Sequence, residues 1–298
     1  MAPNDTNSQP TKTPRIDESS QVRNERTFAL TIAYDGSLYA GWQIQPNGLA
    51  IQQVLADAIK QVVHHSCIVN GSGRTDAGVH AIGQVASLRS PNWKLPASRL
   101  IQAINRHLPR DICVVDCKNA IPGFDPIRHA TAKRYRYTLR SSRIPDPLQY
   151  PFHWWIPKDL DLGEMQAAAK RLLGTHDFKA FESLGSPRKS SVRTIYAIDI
   201  YQRPSPIGLQ NTGVEICIEI EADGFLYNMV RNIAGALVEI GKARFSPLWI
   251  ESILKSAERS SFSQTAPARG LCLLHVKYPA SLFLPDDDQS QTLPSNDS

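Results

Sequence analysis

The stretch Gly71-Ser72-Gly73-Arg74-Thr75-Asp76-Ala77-Gly78-Val79-His80-Ala81 sets an arginine, an acid and a histidine among three glycines, between two apolar segments. Glycines so closely spaced call for sharp turns or for the near approach of another backbone. An acid and a base held on so constrained a loop fit the edge of an active site. The plain alternative is a turn in which Asp76 caps a helix or closes an Asx-turn. Phosphate-binding loops do not fit. A Walker A loop ends in Gly-Lys-Ser/Thr, absent here, and the dinucleotide fingerprint needs glycine where Asp76 stands.

Outward from this loop the periodicity reads as a fold. A strand from about Cys67 leads into it, and Gln84-Val85-Ala86-Ser87-Leu88 is the strand's partner. Upstream, Phe28, Leu30, Ile32 and Tyr34 alternate as in a strand, and Ile51, Val54, Leu55, Ile59, Val62 and Val63 share one helical face. Downstream, Leu100, Ile101, Ile104 and Leu108 mark a second helix, and Ile112-Cys113-Val114-Val115 a fourth strand. The order β-α-β-β-α-β is the split βαβ of ferredoxin-like folds.

The second half follows a similar order. Tyr135, Tyr137 and Leu139 alternate on a strand, and Leu162, Met165, Ala169, Leu172 and Leu173 mark a helix. Tyr196, Ile198 and Ile200 give another strand. Val214, Ile216, Ile218 and Ile220 alternate with Glu215, Cys217, Glu219 and Glu221, which predicts a strand buried on one face. A helix runs from Met229 through Ile233, Ala236 and Leu237 to about Gly241, and Ser246-Pro247 is an N-cap and first-turn pair for one more. Leu271 to Val276 closes the chain as a strand. The expected architecture is α+β, two ferredoxin-like βαββαβ halves with a central cleft. Its domains are 27–120, which carries the Asp76 loop, and 121–284, between a disordered tail at 1–26 and an acidic disordered tail at 285–298.

Composition limits the partners. In 298 residues, 42% hydrophobic and 20% charged, there is enough apolar surface for a core of about two domains. No apolar run reaches the roughly 18–20 residues of a membrane span, and the polar N-terminus has no signal-peptide region. The five cysteines are odd in number, and only Cys113 and Cys117 lie close together, without a second pair at zinc spacing. Reduced thiols, a cytoplasmic site and no structural zinc follow, and no metal is assigned. The tail 1–26 balances four acids with four bases, and the last fourteen residues hold four aspartates and no base. The middle is therefore more basic than the whole-chain charge of +5 conveys, which suits a polyanionic partner.

Three further motifs bear on chemistry. Tyr34-Asp35-Gly36-Ser37, followed by Gly41-Trp42-Gln43-Ile44-Gln45 and then Ile51-Gln52-Gln53, reads alone as a turn with an aromatic anchor. Thr131-Ala132-Lys133-Arg134-Tyr135-Arg136-Tyr137 interleaves three cations with two aromatics. Period 2 puts Lys133, Tyr135 and Tyr137 on one face and Arg134 with Arg136 on the other. Those tyrosines are either a core pair flanked by solvated cations or a stacking platform for a base with cations nearby for phosphates. Gly224-Phe225-Leu226-Tyr227-Asn228-Met229-Val230-Arg231-Asn232 opens a helix whose Met229 and Val230 are core. Arg231, near that helix's N-terminus, opposes the dipole and calls for an acidic partner. Of the histidines, His64 and His65 end a helix, where a cation suits the dipole, and His80 reads as a satisfied loop residue rather than a base.

Gly73-Arg74-Thr75-Asp76-Ala77-Gly78-Val79-His80 resembles the catalytic-aspartate motif of the bacterial tRNA pseudouridine synthase A family. The motifs at 34–53, 131–137 and 224–232 match that family too. Weaker matches are Asn105 with Leu108-Pro109 and Asp111-Ile112, Leu172-Leu173-Gly174 with Asp177-Phe178 and Phe181, and Thr265-Ala266 with Gly270-Leu271. The resemblance spans about residues 27–280. One departure is plain: Phe124-Asp125-Pro126-Ile127-Arg128-His129-Ala130 carries its arginine one place later than the family pattern, at Arg128. The resemblance implies a pseudouridine-synthase-type fold and a cofactor-independent isomerase that converts uridine to pseudouridine at positions 38, 39 and 40 of the tRNA anticodon arm. Asp76 would be the nucleophile or essential carboxylate, attacking either the base or the sugar C1′. Tyr135 would lie against the target base, Arg231 would pair with Asp76 and hold it ionised, and Arg74 would fill the space a flipped base leaves or hold the backbone. The partners implied are tRNA and a second copy of the chain, in a homodimer. The alternatives are a related RNA pseudouridine synthase with a different target, its specificity set in loops such as that around Arg188-Lys189, and a non-catalytic RNA-binding protein. A nucleotide-binding protein is the most distant.

Overall fold

A computed structural model describes residues 25–183, 190–204, 208–209, 213–256 and 264–285. The N-terminal tail up to residue 24, the Arg188-Lys189 stretch and the acidic tail from Asp286 lie outside the described residues.

The first half runs β1 (Arg26–Tyr34), α1 (Ile51–Val63), β2 (Val69–Gly71), β3 (His80–Ser90), α2 (Ala97–Asn105) and β4 (Ile112–Ala120). The second runs β5 (Ala132–Ser142), β6 (Trp154–Ile156), α3 (Leu162–Ala169), β7 (Gly174–Asp177), β8 (Val192–Arg203), β9 (Gly213–Ala222), α4 (Met229–Gly241), α5 (Trp249–Ser256) and β10 (Leu271–Lys277).

Periodicity accounts for most of these elements. On α1 the buried residues Ile51, Leu55, Ala58, Ile59 and Val63 recur at helical spacing, and His64 stops the helix in the left-handed region with its N–H on the Lys60 carbonyl. Asn105, at the end of α2, grips β4 by donating to the Val114 carbonyl and accepting its N–H at 2.9 and 2.8 Å. The helix predicted over 162–173 is shorter: α3 ends at Ala169 and tightens into a 3-10 turn at Lys170–Leu172. β1 begins at Arg26, the last residue that the sequence assigned to the tail. Its guanidinium donates to Asn119 Oδ1 and the Leu95 carbonyl, which anchors that end of the strand.

Among the described residues ten strands form one sheet, ordered β4-β1-β3-β10-β5-β9-β8-β7, with β2 added to β3 and β6 to β5. Each half keeps the order of a split βαβ, β4-β1-β3-β2 in the first and β10-β5-β9-β8 in the second, with antiparallel neighbours. The halves meet through a short parallel pairing, Cys272 opposite His80 and Leu273 opposite Ala81. Further along the same edge of β3, Val69 to Gly71 of β2 pair with Leu88 to Ala86. The Gly71–His80 loop therefore leaves the sheet where β2 and β10 share one edge, between the two halves.

Strand β9 departs from expectation. Its isoleucines face the core, but Glu215 and Glu219 are buried as well. Arg134 and Arg136 of β5 close on Glu219 at 2.7 and 2.6 Å, Tyr201 donates to it at 2.8 Å, and Arg203 pairs with Glu215. Alternation of Ile with Glu thus marks two covered faces, one apolar and one ion-paired.

Candidate active site

The loop that carries Asp76 is fastened at both ends before its carboxylate is aimed. At the entrance, Ser72 Oγ donates to Gln84 Oε1 (2.6 Å), Gln84 Nε2 to the Gly73 carbonyl (2.9 Å) and Lys133 Nζ to the Ser72 carbonyl (2.6 Å). Thr75 is buried, its hydroxyl 2.8 Å from Tyr34 Oη, and its carbonyl accepts the Trp42 N–H. At the exit, the Val79 N–H closes a turn on the Asp76 carbonyl, and Gly78 takes φ 76° in that turn, a region that favours glycine. The 34–42 motif is the seat for this loop. A Cβ on Gly36 would lie 2.0 Å from the Val79 carbonyl oxygen, and one on Gly41 2.5 Å from that of Thr75. The plain reading of Asp76 as a helix cap does not hold, because its carboxylate turns to a different partner.

That partner is Arg231, at the third residue of α4, with Nη1 3.4 Å from Asp76 Oδ2. Arg231 is itself held by its Nε on the Ala266 carbonyl and Nη1 on Asn228 Oδ1, both at 2.7 Å. The acidic partner expected for this arginine is present. Its effect on ionisation is smaller than expected. Burial raises the Asp76 pKa above the ordinary carboxylate value and outweighs the opposing pull of the guanidinium. At 3.4 Å the pair is longer than the 2.7–2.9 Å of a tight charge-assisted bond, which fits that outcome.

Asp76 opens into a cleft of about 880 Å³ bounded by the loop, the start of β5 and the 223–230 segment; Arg231 is not among the lining residues. Tyr135 forms part of its wall, buried, with its ring edge-on to Phe225 at 5.1 Å. Burial, reinforced by Tyr34 and by the Asp76 charge, pushes the Tyr135 hydroxyl well above its usual value, so it stays protonated. Tyr137, the next residue on that face, is core and gives its hydroxyl proton to the Pro267 carbonyl. The two readings of the motif are thus split between its two tyrosines. Arg74 stands exposed at the cleft wall with no hydrogen-bonding or ion-pair partner among the described residues. Lys133 and Arg193 line the cleft too, as do the exposed Ile127 and Tyr227.

Asp76, Tyr135 and Arg74 therefore converge on one cavity, and Arg231, outside its lining, meets it through Asp76. Arg128 does not join them. It lies on the surface beside Asp125 at 3.6 Å, and its neighbours Ile127 and Ala130 reach the cleft instead. Sequence reading missed Lys133 as a brace of the loop and Phe225 as the ring against Tyr135. The alternation that put Lys133 on the face of Tyr135 was the available signal. His80 is not a loop residue but the first residue of β3, buried, with its ring nitrogens against main-chain groups and the Asp35 carboxylate. Among the described residues no three His, Cys, Asp or Glu side chains cluster as metal ligands, and all five cysteines are free thiols.

This geometry offers a partly buried carboxylate, a cation to orient it, an aromatic wall and mobile-length cations at the rim. Such a set can bind a planar ring against Tyr135, place it over Asp76 and hold flanking phosphates. Comparison with known proteins gives a family. The model described as tRNA pseudouridine synthase matches residues 30–121 and 168–279. The tRNA pseudouridine synthase A of Pelobacter propionicus is 42% identical over 253 residues, spanning 85% of this chain and 100% of that protein. The protein of the same name from Myxococcus xanthus is 41% identical over 249 residues, 84% of this chain and 91% of its own. Among solved structures, the archaeal box H/ACA sRNP Nop10-Cbf5 complex matches at 11% identity and a TM-score of 0.30, over 71% of this chain and 44% of that one.

Proposed function

The chain belongs to the tRNA pseudouridine synthase family, and on that premise we propose that its cleft isomerises uridine to pseudouridine in the anticodon arm of tRNA, at positions 38, 39 and 40. The observation that carries the reading is the convergence of Asp76 and Tyr135 on one cavity, with the Asp76 carboxylate 3.4 Å from the Arg231 guanidinium.

The reaction breaks the N1–C1′ glycosidic bond, turns the detached uracil and joins C5 to C1′. The C5 proton leaves to solvent and N1 gains a proton, so no redox partner is needed. Asp76 is the essential carboxylate, acting on the base or on C1′. Arg231 keeps it aimed and favours its ionised form against the effect of burial. A base within a stem must leave the stack first, at a cost of a few kcal/mol. Tyr135 receives the extruded ring. Arg74, exposed and unpaired among the described residues, fills the space left behind or holds the strand. Lys133 and Arg193 contribute positive charge to the same walls.

We read 27–120 and 121–284 as two domains, supported by the end of β4 at Ala120 and by one split βαβ in each. The reading extends to a homodimer, following the family resemblance, and to the cytoplasm, following the free thiols. Among the described residues no helix is long and apolar enough to cross a membrane. The test is to incubate unmodified tRNA transcripts with the protein and map alkali-resistant carbodiimide adducts by primer extension, each stop being assigned to the blocked uridine. Stops at 38, 39 or 40 are expected. Stops only elsewhere would assign the protein to another RNA target, and none at all, with tRNA bound, would leave an RNA-binding protein.

A further inference from the structure

The residue that ends the Asp76 loop makes more cross-domain contacts than its place in the reaction requires. His80 is buried, at 6% exposure, and opens β3 opposite Cys272 of β10, at the junction of the two halves. Its Nε2 lies 3.0 Å from the Pro151 carbonyl and 3.1 Å from that of Arg269, both in the second half. Two carbonyl acceptors put the proton on Nε2. On the other side, Nδ1 accepts the Gly36 N–H at 3.2 Å, in the turn on which the catalytic loop is seated, and Asp35 Oδ1 lies 3.1 Å away. The Phe152 ring packs on the imidazole at 5.1 Å.

The strand and turn that His80 grips lead back to the carboxylate. The segment from Ala266 to Gly270 accepts the Arg231 Nε at Ala266, the Tyr137 hydroxyl at Pro267 and the His80 ring at Arg269. One short piece of main chain thus holds both the arginine that faces Asp76 and the exit of the loop that carries Asp76. Arg269 is fixed in turn by its Nε on the His153 carbonyl and by stacking over Tyr150 at 4.2 Å. The aspartate comes from one half and the arginine from the other, so their separation depends on how the halves are joined. The β3–β10 pairing that joins them covers only two residue pairs.

We propose that His80 is a positioning residue for the isomerisation, setting the register of Asp76 against Arg231 by tying the loop exit to the Pro151 and Arg269 carbonyls. The inference rests on the reading of Asp76 as the essential carboxylate. His80 does not line the Asp76 cleft. It acts on the reacting geometry through main chain, so its loss lowers turnover and leaves tRNA affinity alone.

The test compares the full-length wild type with His80→Ala, His80→Gln and His80→Asn in steady-state turnover of tRNA labelled with tritium at uridine C5, with tRNA affinity and thermal unfolding measured alongside. A glutamine amide reaches the position of Nε2, whereas asparagine reaches only that of Nδ1. His80→Ala and His80→Asn are expected to lose kcat on the order of tenfold to a hundredfold with KM little changed, and His80→Gln to recover most of it. If alanine prevents folding, the order of glutamine above asparagine in kcat carries the inference. Equal kcat for the glutamine and asparagine variants would overturn it, as would an alanine variant with wild-type turnover. So would losses that follow the thermal midpoint rather than the donor at Nε2. A wild type that releases no tritium would overturn the functional reading and this inference together, while an active wild type matched by His80→Ala would overturn the inference alone.

Discussion

At the scale of single residues, Asp76 is held in a state that costs the fold something. Its pKa is raised chiefly by burial, so the folded protein binds that proton more tightly than the unfolded chain does. The sign follows from linkage. Stability from this group is complete below the unfolded value and is lost as pH rises through the raised one. Asp76→Asn is therefore expected to abolish turnover yet leave the thermal midpoint at pH 7 equal to or above that of the wild type. A clear fall in the midpoint would show the carboxylate to be structural. Arg231 opposes burial, so Arg231→Gln should lift the Asp76 pKa further and move the acid limb of kcat/KM to higher pH, with a loss in turnover of about a hundredfold. An acid limb that stays in place would contradict the pairing. Tyr135 differs in kind because it is both wall and core. Tyr135→Ala is expected to cost about 3–5 kcal/mol in denaturant unfolding, besides its effect on turnover.

At the scale of elements, the Asp76 loop depends on glycines in the segment beneath it as much as on its own. A Cβ on Gly36 would meet the Val79 carbonyl at 2.0 Å, so Gly36→Ala should push the loop off its seat. The expected result is roughly 1–3 kcal/mol of lost stability and a fall in turnover, whereas Gly123→Ala, at φ 81° in open space, should cost about 1–2 kcal/mol of stability and leave turnover unchanged. Much of this level was legible in the sequence. Long periodic segments such as Ile51–Val63 and Met229–Gly241 were read to within a residue or two, because burial selects a helical stripe. Strands β6 and β7, three and four residues long, left no period to read. β9 misled because its second face is buried by arginines of a neighbouring strand, and pairing between strands is not written in either one alone. The site followed the same division. Asp76, Tyr135, Arg231 and Arg74 were legible as motif residues. The role of Gly36 as a seat, of Lys133 as a brace and of His80 as a tie depends on contacts across 40 to 190 residues of chain.

At the scale of the whole molecule, one sheet joins two halves and places the cleft at their seam. On the opposite face β5, β8 and β9 are held by ion pairs, while a small apolar cluster of Ala29, Val85, Ala120 and Phe124 covers the β1 and β3 side. Burial alone would raise the Glu219 pKa, but hydrogen bonds from Tyr201, Arg136 and Arg134 outweigh it and bring it below the usual value. A depressed folded pKa gives stability that is present above the unfolded value and lost as pH falls. Mild acid should therefore weaken the wild type more than Glu219→Gln, measured as the slope of the unfolding midpoint below about pH 5. Equal slopes would remove Glu219 from that account. The basic middle of the chain predicts tRNA affinity that drops at least about tenfold between roughly 50 and 200 mM salt. A flat response would count against phosphate contacts in the cleft. The most direct measurement is tritium release from tRNA carrying uridine labelled at C5, with wild type and Asp76→Ala compared at matched tRNA binding. The account predicts release by the wild type, mapped to the anticodon arm, and none by Asp76→Ala. Release by both proteins would contradict the role of Asp76, and release by neither, with binding intact, would contradict the isomerase itself.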